Sequence, residues 1–285
     1  MRLGSDQDSV TVVPAPGAHV RLNGPLEMDG RDQTIQGFTV DGSNALFVAG
    51  INNAQYAGCP EYSHGVSLTL DIEGKNDTLQ GVDYFQSNPA TRGVAVGIGF
   101  GGPGHGDGAV VRFNKIHDVG GCKAFDHNVY LAHGDHVQIE RNWLYNNPYG
   151  FGVQLYPGPT NAKIEGNVID RAATGFVERG DSGFTVHDNE ISHNVVANPT
   201  GLLNGTDLRT GIEDYGPAPY IASNTFDYND VFNAVGVSRT SGVNVGSHNI
   251  TGDPLFTSEG TGDYTVKPGS PVVGYGLWDG SSSGA

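Results

Sequence analysis

Short stretches of alternating apolar and polar residues run along the chain, separated by turns rich in Gly, Asn, Asp and Pro. In Val111-Arg112-Phe113-Asn114, Ile139-Glu140-Arg141-Asn142, Ile164-Glu165-Gly166-Asn167, Val186-His187-Asp188-Asn189 and Ile221-Ala222-Ser223-Asn224, an aliphatic residue stands three before an Asn. Two residues after each Asn comes another apolar group: Ile116, Leu144, Ile169, Ile191 and Phe226. The steps between these Asn are 28, 25, 22 and 35 residues. Such steps predict a solenoid with one coil per repeat and an Asn column at a tight bend. Asn suits a ladder there, because its amide both donates and accepts between coils about 4.8 Å apart and tolerates left-handed backbone angles. The column is read as structure, not chemistry.

A second strand per coil is expected at Val129-Tyr130-Leu131, Val153-Gln154-Leu155, Phe176-Val177-Glu178 and Ile212-Glu213-Asp214. With Val129 and Leu131 inward, alternation turns Tyr130, Gln154, Val177 and Glu213 outward in one column. Glu178 and Asp214 then fall inward and need partners, for which Arg179 and Arg209 are candidates. Earlier coils are traced through residues 34–40 and 67–72, without the Asn, so the coils begin near residue 10. Longer excursions are expected at residues 52–63, 75–92 and 195–209, as walls of a groove. Gly97, Gly99 and Gly102 match the spacing of a dinucleotide site. Pro103-Gly104-His105-Gly106 cannot open the helix that such a site needs, so strand and turn are expected.

Of 285 residues 44 are Gly and only 16% are charged, which fits a turn-dense all-β chain and no helical or doubly wound one. Fifteen Lys and Arg against 31 Asp and Glu give a net charge of -16, which argues against nucleic-acid and anionic-membrane partners. No apolar run reaches the roughly 20 residues of a membrane helix, and the start carries no apolar secretory core. Cys59 and Cys122 lack the spacing of a metal or redox site and are read as buried thiols or a single disulfide.

Strands at this spacing with Asn at the bend resemble the right-handed parallel β-helix proteins of the pectate-lyase-like superfamily, over residues 10–250. The segments Asp253-Pro254-Leu255-Phe256, Gly262-Asp263-Tyr264 and Pro268-Gly269-Ser270-Pro271 are similar to the closing segment of many secreted bacterial β-helix proteins. The resemblance implies an all-β, single-domain right-handed β-helix over residues 1–285, with 250–285 as its capping segment. It also implies an extracellular location, a polysaccharide or oligosaccharide partner and no organic cofactor. Its members include polysaccharide lyases, galacturonan hydrolases, mannuronan epimerases and phage tailspikes. Phe125-Asp126-His127-Asn128 resembles the Asp-Pro-His-Asp motif of the epimerases, but lacks the Pro and the final Asp.

The densest titratable cluster lies between Lys123 and Arg141. Cleaving a uronan by β-elimination needs a base at C5, a cation for the developing anion and an acid for the leaving oxygen. His127 or Lys123 would serve as base, Arg141 or Arg179 as clamp and Tyr130 as acid. Gln154, Tyr156, Glu213 and Tyr215 would line the groove, and a polysaccharide lyase is the leading expectation. A non-catalytic glycan-binding module is the second reading, and a glycoside hydrolase using Glu213 with Asp214 or Asp126 the third. His105-Gly106-Asp107 recurs as His133-Gly134-Asp135 at the 28-residue step, so the triplets should stack. Two Asp carboxylates about 4.8 Å apart repel by about 3–4 kcal/mol at an effective dielectric of about 20. Ca2+ or another divalent metal would relieve this, and Ca2+ would also reconcile an acidic protein with an anionic glycan.

Overall fold

The computed structural model describes residues 1–44, 46–48, 66–88, 93–120, 126–201, 209–215 and 218–281. Cys59, Cys122, Lys123 and the excursion at residues 52–63 lie outside them. The described chain winds into a three-sided parallel β-helix. Its first sheet stacks Arg2–Leu3, Leu26–Met28, Val66–Ile72, Val94–Ile98, His127–Leu131, residues 151–155 and 176–178, Thr210–Asp214 and Gly236–Arg239. The second stacks nine short strands from Thr11–Val12 through Gln138–Glu140 to Asn244–Val245. The third runs from Arg21–Asn23 through Lys115–His117 and Val195–Ala197 to Asp230–Phe232. Residues 97–102 are strand and turn, with Gly99 and Gly102 at positive φ.

No three-residue strand could stand alone, so stability comes from stacking. The middle residue of each second-sheet strand forms one inward column, Ile35, Leu79, Val111, Ile139, Ile164, Ile191 and Phe226, all with 0% exposure. Val40, Tyr84, Ile116, Leu144, Ile169, Val196 and Val231 oppose it from the third sheet. Each such side chain contributes about 1.5–3 kcal/mol by leaving water.

The Asn ladder exists but follows a different path from the expected one. It runs Asn114, Asn142, Asn167, Asn194, Asn229, Asn249, each Nδ2 donating to the next Oδ1 at 2.9–3.2 Å. Asn189 and Asn224 form a second, separate ladder one corner earlier, before the second sheet. The left-handed angle falls on the residue before each of the first five Asn, namely Phe113, Arg141, Gly166, His193 and Tyr228, with φ of 54–66°. Holding a non-Gly residue there costs about 1–2 kcal/mol. Two to three hydrogen bonds per Asn, at about 0.5–1.5 kcal/mol each, offset that cost.

Residues 75–88 of the expected 75–92 excursion are likewise none, and residues 89–92 lie outside the described residues. Residues 75–88 hold the strands Thr78–Gln80 and Asp83–Phe85 of a regular coil, whose bend carries Gly81 at φ 61° instead of an Asn-led turn. Residues 195–209 begin with the strand Val195–Ala197. Past residue 250 the chain packs along the outer face of the third sheet, where Phe256, Tyr264, Val272 and Trp278 cluster with Trp143, Val168, Val195 and Ala197.

Candidate functional site

The outward column of the first sheet is fixed by register: Glu27, Asp71, Gly97, Tyr130, Gln154, Val177, Glu213, Arg239. Alternation thus brings Tyr130, Gln154 and Glu213 to one face. From Asp71 to Glu213 there are five coil spacings of about 4.8 Å, roughly 24 Å in all. Beside this column a second row pairs His127 with Phe151 and Phe151 with Thr174. The rings touch in sequence along the face: Phe100–Tyr130 at 4.8 Å, Tyr130–His127 at 5.3 Å, His127–Phe151 at 4.9 Å and Phe151–Tyr215 at 6.2 Å. Glycine permits the close packing beneath: a Cβ on Gly152 or Gly175 would come within 2.5 Å of Ile169 or Val196.

His127 is fully buried. Its Nδ1 accepts the Phe151 N–H at 3.4 Å, while Nε2 has no partner among the described residues. Burial pushes its pKa down to about 3. A neutral imidazole that holds a proton so poorly is a weak general base near neutral pH. Glu213 accepts the Thr210 hydroxyl at 2.7 Å and lies 3.0 Å from Arg239 Nε, and burial raises its pKa. The Tyr156 hydroxyl donates to Asp181 at 2.8 Å beneath the Arg179 guanidinium, 5.2 Å above the ring. Tyr215 is 38% exposed at the far end of the strip.

Several expected partners lie elsewhere. Arg141 occupies the left-handed position at the bend between the second and third sheets, where it donates to Gly276 O at 3.0 Å and pairs with Glu140 at 2.7 Å. That corner faces away from the first sheet, so Arg141 does not meet His127 or Tyr130. Glu178 is inward, as alternation predicts, but its partner is Asn224 at 2.7 Å, not Arg179; burial pushes its pKa up to about 8. Asp214 accepts the Gly242 N–H at 2.8 Å and the Ser241 hydroxyl at 3.3 Å, in place of the expected Arg209.

The two His-Gly-Asp triplets do stack, with the Asp135 N–H donating to Asp107 at 3.0 Å. Their carboxylates are met by protein donors. Lys75 lies 3.0 Å from Asp107, while Thr160, Asn161 and His136 surround Asp135 at 2.7–2.8 Å. Burial works against the Asp135 charge, but those hydrogen bonds hold its pKa below the usual range. His105 pairs with Glu73 at 3.1 Å, and His133 sits edge-on to Phe184 at 4.9 Å. Among the described residues no three His, Cys, Asp or Glu side chains converge to hold a metal ion.

A carboxyl pair that sequence reasoning missed sits at the first end of the strip. Burial first, then the charge and hydrogen bond of Glu73 and the charges of Glu27 and Asp29, push Asp71 up to about 8. Glu73 is fixed by the Gly101 N–H at 2.8 Å and by His105. Asp71 alternates outward between Leu70 and Ile72, in the same column as Tyr130, and that signal was available in the sequence.

The family model for the right handed beta helix region matches residues 96–270. No curated protein matches the chain. Among solved structures the chain is similar to a tailspike protein mutant of E. coli bacteriophage HK620 in complex with a pentasaccharide. Identity is 13% and the TM-score 0.50, over 89% of this chain and 56% of that one, so the chain spans little more than half the tailspike's length. A DFA-IIIase from Arthrobacter chlorophenolicus A6 in complex with GF2 is more distant, with 12% identity, a TM-score of 0.28 and coverage of 94% and 70%; that likeness carries no argument. The likeness to the tailspike concerns the fold alone.

Proposed function

Starting from a chain that belongs to the right-handed β-helix family, we propose a carbohydrate-active protein that holds a neutral glycan lengthwise on the outer face of its first sheet and hydrolyses it. One observation carries this reading: a single face unites the accessible rings of Phe100, Tyr130 and Tyr215, joined through the buried His127 and Phe151, with a carboxyl whose pKa is raised to about 8. Aromatic rings take the apolar faces of sugars, and the carboxylates and Gln154 take hydroxyls. An anionic chain would meet Glu27 and Glu73 here.

Hydrolysis of a glycosidic bond needs an acid for the leaving oxygen and a second carboxylate. In this reading Asp71 is the acid. Glu73, hydrogen-bonded to it, lies too close to act across a sugar and serves to keep Asp71 protonated. Glu27, the register partner of Asp71 on the next rung and 3.2 Å from Arg2, is the candidate second carboxylate. The charges of Glu73 and Glu27 help raise the Asp71 pKa, which suits the acid's role.

Elimination remains the second reading, supported by the contact of His127 with Tyr130 on the strip. It is weakened by the low basicity of His127 and by the distant corner that Arg141 occupies. The test is a panel of neutral glycans and uronans, with Ca2+ or EDTA, read for reducing ends and for ultraviolet-absorbing unsaturated products. Reducing ends without absorbance, lost in Asp71→Asn, support hydrolysis. Absorbance would move the chemistry to His127 and Tyr130, and neither signal together with saturable binding would make the face a non-catalytic binding surface.

A further inference from the structure

A separate cavity of about 270 Å³ opens at the corner between the first and second sheets. Pro103, Gly134, Gly158 and Gly183 contribute walls of little more than backbone, while Phe184 supplies a ring and His133 a polar face. His133 is 7% exposed, yet among the described residues its imidazole makes no hydrogen bond. The ring is held edge-on to Phe184 at 4.9 Å. Nothing covers it at residue 158, where an added Cβ would lie 3.2 Å from both His133 Nδ1 and Phe184 Cβ. Its polar atoms open to the cavity, where a ligand can hydrogen-bond to them. Burial lowers the His133 pKa, so the ring is neutral and offers one donor and one acceptor.

We propose that this corner cavity is a binding site for one neutral, hydroxyl-bearing sugar ring. The inference rests on the glycan reading only for the class of compound and uses none of the residues proposed for hydrolysis. Its size falls just below the roughly 300–1,000 Å³ of sites for drug-sized ligands, which suits a single ring. A sugar hydroxyl can both give to and take from the two imidazole nitrogens, and its apolar face can lie on Phe184. Asp107 and Asp135 line the same cavity and keep acceptor capacity beyond the donors they already meet. They disfavour an anionic ring by repulsion.

The test uses the full chain and the methyl glycosides of glucose, galactose and mannose, with glucuronate as the anionic probe. Binding is followed by saturation-transfer NMR and by the His133 ring resonance, identified by its loss in His133→Ala. At least one neutral glycoside should saturate and shift that resonance, and glucuronate should not. Gly158→Val, at a position without a left-handed φ, fills the cavity and should weaken binding at least tenfold; Phe184→Ala should weaken it several-fold. Circular dichroism of both variants checks that the fold is kept. The proposal is overturned if no neutral glycoside shifts His133, if folded Gly158→Val binds as the parent does, or if glucuronate binds more tightly. Asp71→Asn separates the two readings, since it should abolish hydrolysis and leave this binding intact.

Discussion

The outer faces of the first and third sheets are built by the same coils and both carry aromatic and acidic side chains, yet they end in opposite states. On the third, Phe85, His117 and Tyr145 stack rung on rung, and the C-terminal segment closes over Trp143, Val168 and Val195. Most of its polar groups meet one another, with Trp143 Nε1 and the Asp230 side chain as exceptions among the described residues. The Tyr264 hydroxyl donates to Asp170 at 2.8 Å, and Arg171 pairs with the same carboxylate at 2.6 Å. His117 is clasped by Asp118 and Asp83 at 2.7 and 3.1 Å; burial opposes its charge, but the two carboxylates push it up to about 9. On the first sheet the carboxyl groups instead crowd one another, Asp71 against Glu73 and Glu27, and His127 keeps a nitrogen without a partner among the described residues. Aromatic rings on a solenoid face therefore do not mark a site by themselves. Several like charges held together on a face that no later segment covers do.

Four experiments break or sharpen that contrast. The largest effect is expected from Asp71→Asn, which should lower release of reducing ends by about 10²–10⁴-fold while leaving thermal stability equal or higher, because a crowded acid is removed. Its mirror on the third face is Tyr264→Ala. That variant should cost about 3–5 kcal/mol in urea unfolding and leave the specific activity of the folded fraction unchanged, since the ring is fully buried against Trp143 and Phe256.

The third experiment is a pH series. Activity should fall as pH rises through about 8, where Asp71 loses its proton. Stability carries the same sign for Glu178, raised from 4.5 to about 8. Between these values the folded chain binds the proton and the unfolded chain does not, so stability declines as pH rises, by at most about 1.4 kcal/mol per unit. Glu178→Gln should flatten that slope in urea titrations at pH 5 and pH 8 without altering the activity limb. The smallest effect belongs to Tyr215→Ala, which removes the exposed end of the strip and should raise KM about threefold to tenfold with kcat nearly unchanged.

Much of the architecture was legible because period-2 alternation and a polar bend residue recur in every later coil. The ladder was misjoined because both Val186-His187-Asp188-Asn189 and Ile191-Ser192-His193-Asn194 satisfy the same aliphatic-x-x-Asn pattern. Only the pairing of Ile164 with Ile191 decides between them. The coil at residues 75–88 was passed over because Gly81 provides its bend in place of the expected Asn. For the site, alternation was sufficient to set Tyr130, Gln154 and Glu213 on one face. Density along the chain was a poor guide to density in space. Arg141 is close to His127 in sequence but is turned to another corner by its φ of 54°. Asp71 and Glu73 reach the strip from a distant coil, and their value lies in a mutual charge that no linear motif records.

The most direct measurement is a crystal structure of Asp71→Asn with a neutral oligosaccharide that the parent chain shortens. The sugar rings should lie lengthwise from Phe100 and Tyr130 toward Tyr215, with a glycosidic oxygen beside residue 71. A chain bound on the second or third sheet, or one crossing the first sheet away from residues 27, 71 and 73, would contradict the account.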